Sequence, residues 1–261
     1  MRSLSIGATG MLAQQLNVDV ISNNIANMNT TAYQRRRAEF ADLLYQDYRP
    51  VGSASSDAGT VVPSGIQVGV GVKPTAIYRI TEQGNMQSTD NPLDLAIQGR
   101  GYFEVELPSG EIGYTRSGAL TRSSDGTIVT ADGYLVMPGI TIPEDAVSIS
   151  INATGEVFAQ IDGQVAPQNL GQFELATFAN EGGLQAIGDN LFLESEASGA
   201  AIVATPGSAG FGTVQQGFLE TSNVNVVAEI TDLIRAQRAY EMNSKVIQAS
   251  DEMMGTLTQL R

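Results

Sequence analysis

Four carboxylates crowd a short stretch of this chain: Asp90, Asp94, Glu104 and Glu106. Two such groups facing one another are what glycoside hydrolysis needs, one as acid and one as base or nucleophile. Paired carboxylates are also ordinary on an acidic β-surface, and nothing else gathers around these four. The chain has no histidine and no cysteine. That removes the usual general base, the commonest zinc ligand, every thiolate site and every disulfide. Lys73 and Lys245 remain as possible acid–base groups. The expectation is no catalytic residue, no cofactor-binding residue, no metal site, and a protein that is not an enzyme.

The glycine-rich stretches point the same way. Gly69-Val70-Gly71 and Gly99-Arg100-Gly101 each begin a G-x-G, but Pro74 and Glu104 stand where the third glycine belongs. Neither opens a helical pattern, so neither is read as a phosphate cradle. Asp125-Gly126, Asp132-Gly133 and Asp162-Gly163 are turn signals without EF-hand spacing. Asn152-Ala153-Thr154 matches a glycosylation triplet by accident of composition. Arg35, Arg36 and Arg37 form a basic run, either a solvated patch or a contact for acidic neighbours. With 14 basic and 28 acidic residues the net charge is −14, which argues against a nucleic-acid partner. There is no apolar run near the ~18 residues of a membrane span, and no secretory h-region.

The elements that organise these residues differ sharply along the chain. Residues 1 to about 28 and about 224 to 261 read as helices, amphipathic, rich in amides and poor in charge. In the first, Leu4, Met11, Val18 and Ile25 recur every seven positions, with Ile21 and Met28 three residues after the last two. Leu12 and Leu16 widen that stripe. In the second, Val226, Leu233, Tyr240, Ile247 and Met254 recur every seven, flanked by Ile230, Ile234, Val246, Met253 and Leu257. Helices with so little charge need packing on more than one side. The expected assembly seam is Leu4, Met11, Val18, Ile21 and Ile25 on the N-terminal helix. On the C-terminal helix it is Val226, Ile230, Leu233, Tyr240, Ile247 and Met254.

Between the helices the sequence is β-like. The helical pattern stops at Asn27 to Thr31, and Phe40, Leu43 and Leu44 are spaced as a short helix. Residues 49 to about 65 are small and polar, like a linker, and GIQVGVGVKPTAIYRI reads as a hairpin or extended arm. From about 80 to 222, short alternating runs such as Tyr102 to Leu107, Thr127 to Thr130 and Val147 to Ile151 lie between frequent turns. The expected fold is α+β. The terminal helices (1–30 with 224–261) pair into a coiled-coil-like inner domain, an extended arm covers 31–70, and a mainly β outer domain covers 71–223.

Two terminal segments carry a resemblance. SNNIANMNTTAYQRRRAEF at 22–40 and ETSNVNVVAEITDLIRAQRAYEMNSKVIQASDEMM at 220–254 resemble the N- and C-terminal signatures of the bacterial flagellar rod and hook axial family. Asn23, Asn24, Asn27, Asn223, Asn225, Gln237, Arg238, Tyr240 and Asn243 carry that motif here. PSGIQVGVGVKP and GNMQSTDNPLDLAIQGRGYFEVELPSGEIGYTRSGAL are similar to the distal-rod members, so the resemblance covers nearly the whole chain. It implies a structural subunit that stacks helically into a rigid hollow shaft. That shaft carries torque from motor to hook and encloses the export channel. The alternative within the family is a proximal-rod or hook-type subunit; outside it, a secreted β-rich enzyme or adhesin with helical tails. The implied partners are other copies of the chain, proximal rod subunits, hook subunits, the surrounding ring proteins, the rod cap and the export apparatus. The implied place is the flagellar basal body from periplasm to outer membrane. Family members reach it by type III export without a cleaved signal, and neither nucleic acid nor membrane insertion is expected.

Overall fold

The computed structural model describes residues 2–49, 64–164 and 166–259, and the greater part of the linker-like stretch lies outside them. The chain divides into two units. The helix unit takes Met1–Ala26, Arg36–Arg79 and Asn225–Arg261, and the β unit takes Asn27–Arg35 and Ile80–Val224. The residues expected to form a single connector at 31–70 are therefore shared between the two.

In the helix unit, α1 spans Arg2–Ala26 and α2 spans Val226–Gln259. Asn225 caps α2: its Oδ1 accepts the Ala228 N–H at 3.2 Å and its carbonyl accepts the Glu229 N–H at 3.0 Å. Strand β1 (Arg36–Asp42) pairs antiparallel with β4 (Val72–Arg79), from Arg36 opposite Arg79 to Asp42 opposite Val72. A bulge falls between Glu39 and Phe40, where the partner strand presents Pro74, a residue with no N–H for the ladder. Strand β2 (Tyr45–Arg49) pairs in the same way with β3 (Ile66–Gly69). In place of the short helix expected around Phe40 to Leu44, Phe40 lies in β1, and Leu43 and Leu44 link β1 to β2. The three- and four-residue spacing there is local, and β4 supplies a full ladder that outweighs it. The stretch read as a hairpin does not pair with itself, because β3 and β4 each pair back to an earlier strand. Helix α1 packs on β1 and β4, with the Val72 N–H donating to Thr9 Oγ1 at 3.4 Å.

The β unit begins with β5 (Met86–Ser88), β6 (Leu95–Gln98), β7 (Tyr102–Glu106) and β8 (Ile112–Thr115). The last two form the centre of the largest sheet. On one side of this pair lie the strands Leu191–Leu193 and Gln185–Gly188; on the other, Leu135–Val136, Ile128–Thr130 and Leu120–Arg122. Alternation along β7 divides its side chains between two cores. Phe103 and Val105 enter the main core with Leu95, Ile97, Phe173 and Leu175. Tyr102 enters a smaller aromatic cluster with Tyr114, Phe178 and Phe192, whose rings meet edge to face at 4.8–6.1 Å. On its way back towards α2 the chain pairs Thr213–Gln216 with β6 and Phe218–Glu220 with β5.

Candidate functional site

The helix pair is the natural candidate, because it carries both the seams and the amide-rich motifs. Three contacts fix its register. A Cβ at Gly7 would lie 2.8 Å from Ile247 Cγ1, and one at Gly10 would lie 2.8 Å from Asn243 Nδ2. Asn24 Nδ2 donates to Glu229 Oε2 at 3.1 Å. Residue numbers rise along α1 as they fall along α2, so the helices run antiparallel. The two glycines let the helices approach more closely than any side chain would allow.

These contacts sort the seam residues. On α1, Ile21 is buried, and Leu4, Met11, Val18, Leu16 and Ile25 are half-buried. Gly7, Ala13, Val20 and Asn24 complete the buried set. Leu12 is 66% exposed. On α2, Val226, Leu233, Ile247 and Met254 are half-buried. The second half of that seam is a column the apolar pattern did not reveal: Glu229, Ala236, Asn243 and Ser250, also seven apart. Glu229, Ala236 and Ser250 are buried, and Asn243 stands against Gly10. A search for small and amide residues at heptad spacing would have found it.

The other apolar residues of α2 face away. Val227 is 75% exposed and Met242 61%, and Ile230, Ile234, Val246 and Met253 are also exposed. At about 100° per residue these six lie on the side of the helix opposite the column through Glu229, Ala236 and Ile247. Ile230 and Tyr240 were both expected in the seam, and Tyr240 is exposed as well. The side chain of Leu257 lies outside the described residues.

The motif asparagines have separate duties. Asn24 joins three elements: its Nδ2 also donates to the Arg36 carbonyl at 2.8 Å, and its Oδ1 accepts the Arg36 N–H at 2.9 Å. One buried amide thus ties the end of α1, the start of β1 and the first turn of α2. Asn223 does similar work inside the β unit. It accepts the Arg35 N–H at 2.7 Å and donates to the carbonyls of Ile80 and Glu82 at 3.0 and 2.8 Å. Asn27 Oδ1 accepts the Thr30 hydroxyl at 3.1 Å, holding the turn after α1. Asn23, Gln237 and Arg238 are exposed.

The four carboxylates have separate surroundings. Asp94 accepts the Asn91 side-chain amide at 2.8 Å, and Asp90 and Glu106 are exposed. Glu104 is buried, and that burial pushes its carboxyl above the ordinary range, helped by the charge of Glu174. Burial, assisted by Glu104 and Glu194, raises the neighbouring Tyr114 hydroxyl to about 12. Among the described residues no group of three acidic side chains could hold a metal ion. Two of the three adjacent arginines have local partners: Arg35 pairs with Glu82 at 3.7 Å, and Arg37 pairs with Glu39 at 3.5 Å and lies over the Tyr78 ring.

Comparison with known proteins agrees with this geometry. Residues 4–34 match the flagella basal body rod protein family, and residues 215–260 match the FlgEFG basal-body rod protein C-terminal family. Residues 96–159 match the D1 domain of the flagellar hook protein FlgE/F/G family. The flagellar basal-body rod protein FlgG of Caulobacter vibrioides is 60% identical over 261 residues, covering 100% of both chains. The chain belongs to the FlgG family of flagellar basal-body rod proteins. The Agrobacterium fabrum FlgG is 53% identical over 97% of each chain, and that of Bacillus subtilis is 42% identical over 100% of this chain and 99% of its own. Membership in this structural rod family accounts for the emphasis on packing. The helix motifs and the β strands around Tyr102–Glu106 fall inside the matched segments. No helix among the described residues is long and apolar enough to cross a membrane.

Proposed function

We propose that this chain is the subunit of the flagellar distal rod. It polymerises helically through the outward faces of its terminal helices into a rigid, hollow, torque-bearing shaft around the export channel. The observation that carries this reading is the set Val227, Ile230, Ile234, Met242, Val246 and Met253, apolar and exposed on the outer half of a helix whose opposite face is already occupied by α1. A heterologous contact of this kind closes a ring or grows a filament, and the rod names of the relatives favour the filament. The proximal rod and the hook continue the shaft at its two ends, and ring proteins surround it. The export apparatus and rod cap deliver and place its subunits.

Two adjacent residues test the reading. Ile234→Asp puts a carboxylate on the outward stripe, where surface substitutions change stability by no more than about 0.5 kcal/mol. The protein is expected to fold normally and fail to assemble. Leu233→Asp puts the carboxylate into the helix pair, where an unpaired buried charge costs several kcal/mol. Loss of α2 helicity is expected by circular dichroism. Normal filaments from the Ile234→Asp protein, seen by electron microscopy, would refute the outward stripe as the polymer contact.

A further inference from the structure

The net charge of −14 is confined to one unit. Counted along the sequence, the helix unit carries ten acidic and ten basic residues, and the β unit carries 18 acidic residues and four arginines. Three of those arginines each neutralise one carboxylate locally. Arg116 Nε donates to Glu220 at 2.6 Å with both side chains buried, Arg100 Nε donates to Glu181 at 2.8 Å, and Arg35 lies 3.7 Å from Glu82. Fifteen carboxylates then stand against Arg122. In the helix unit the two signs are equal in number, and Arg235 pairs with Asp232 at 2.9 Å and Arg37 with Glu39 at 3.5 Å. The unit that carries the exposed apolar residues has no net charge, and the unit it must bring along is strongly anionic.

We propose that the β unit acts as an electrostatic brake on self-assembly, released by counter-ions. The inference rests on polymerisation through the helix unit. Every subunit added there brings its anionic β unit into the neighbourhood of others of the same sign. Like net charge opposes association and keeps a protein dispersed. Salt weakens that opposition, because the screening length falls from about 30 Å at 0.01 M to about 8 Å at 0.15 M. The first distance is comparable with the size of the unit. By the usual scaling its 154 residues give a radius of gyration of roughly 15 Å. Dilute salt therefore lets whole units repel, and physiological salt limits repulsion to groups close to contact. Burial of apolar helix faces is not weakened by the same change, so the balance moves towards polymer as salt rises. The partner is a second copy of this chain, and the regulating species is a small cation.

The test measures the lowest protein concentration that forms sedimentable polymer, seeded with sheared filaments, across a sodium chloride series at pH 7. For the full-length chain that concentration is expected to fall at least about tenfold between 0.01 and 0.15 M, with magnesium chloride acting at lower concentration than sodium chloride. A companion protein carries Asp90→Asn, Glu106→Gln, Glu144→Gln, Asp145→Asn and Glu196→Gln, all at exposed positions. It is expected to assemble in dilute salt almost as readily as the original does in 0.15 M, with a flatter salt response. A threshold that is independent of salt or rises with it overturns the proposal. So does a companion protein that follows the original throughout. Failure of both proteins to assemble in any salt instead overturns polymerisation through the helices, on which the proposal depends.

Discussion

The two units satisfy their apolar side chains by different means. In the β unit the bulkiest residues are internal: Tyr102, Phe103, Phe173, Leu95 and Ile97 are all fully buried, although the aliphatic side chains of Val147 and Ile202 are exposed. In the helix unit many large residues remain in water, including Leu12, Tyr45, Tyr48, Val227, Met242 and Met253. Strand β2 is exposed at every position and has one partner strand, an arrangement that is marginal in isolation. One unit has a large closed core; the other leaves Leu12 on α1 and a series of large apolar residues on α2 uncovered. The contrast teaches where the function lies. On the proposed function, the exposed helix residues are the contact surface that other copies complete.

The strongest way to break the comparison is to damage the unit with the closed core. Arg116 is 5% exposed and donates to Glu220, to the carbonyls of Gly99 and Gly101 at 2.6 and 3.1 Å, and to Ile97. Glu220 in turn accepts the Gly84 N–H at 2.9 Å. Arg116→Ala strands a buried carboxylate and removes the guanidinium from the carbonyls of Gly99 and Gly101, while Ile97 keeps the Gln83 amide at 2.7 Å; the expected cost is about 3–5 kcal/mol in urea unfolding. A loss below about 1 kcal/mol would mean that the β unit does not depend on this pair.

A smaller effect is expected at the corresponding junction of the helix unit. Asn24→Asp removes the amide donor shared by Arg36 and Glu229 and places a second carboxylate beside Glu229. The expected loss is about 1–3 kcal/mol, the cost of unsatisfied buried groups, with β1 and α2 loosened together. Hydrogen exchange should show both elements less protected. Loosening of α2 alone would remove Asn24 from its place at the three-element junction.

Much of this was legible in the sequence. The terminal helices, their seven-residue apolar columns and the turn-punctuated β middle follow from periodicity and turn chemistry. What periodicity could not supply was the division of labour between faces. Leu233 and Ile234 look alike as text, yet one is turned towards α1 and the other towards water. The choice is made by Gly7, Gly10, Ala236 and Asn243, small or polar residues that weigh little in a hydrophobic pattern but decide how closely two helices can approach. Phe40 was misread for a related reason. Its strand depends on β4, more than thirty residues further on, and no local window contains that partner. The motif asparagines were visible as a pattern; their roles depend on backbone groups that only the fold brings within reach.

The smallest expected effect sharpens the comparison through pH. Glu104 is buried on β7 beside Tyr114, and burial, then the charge of Glu174, raises its carboxyl above the ordinary value of about 4.5. A carboxyl raised in the folded state binds its proton more tightly there than in the unfolded chain. Stability is therefore given up as pH climbs from about 4.5 through the folded value, and the deficit persists at pH 7. Glu104→Gln keeps the shape and removes the buried charge. The variant is expected to be the more stable protein at pH 7, and the difference should close as pH falls below about 4.5, where the wild-type carboxyl is protonated in both states. Thermal melts of the two proteins at pH 4 and pH 7 measure this. Equal melting temperatures at pH 7 would mean that water reaches Glu104 and that the aromatic side of β7 is less closed than the Phe103 side. Because this cost lies inside the unit with the closed core, the variant should leave the assembly threshold close to that of the original. The five exposed substitutions should move that threshold without raising stability, and in that pairing buried charge governs folding while exposed charge governs association.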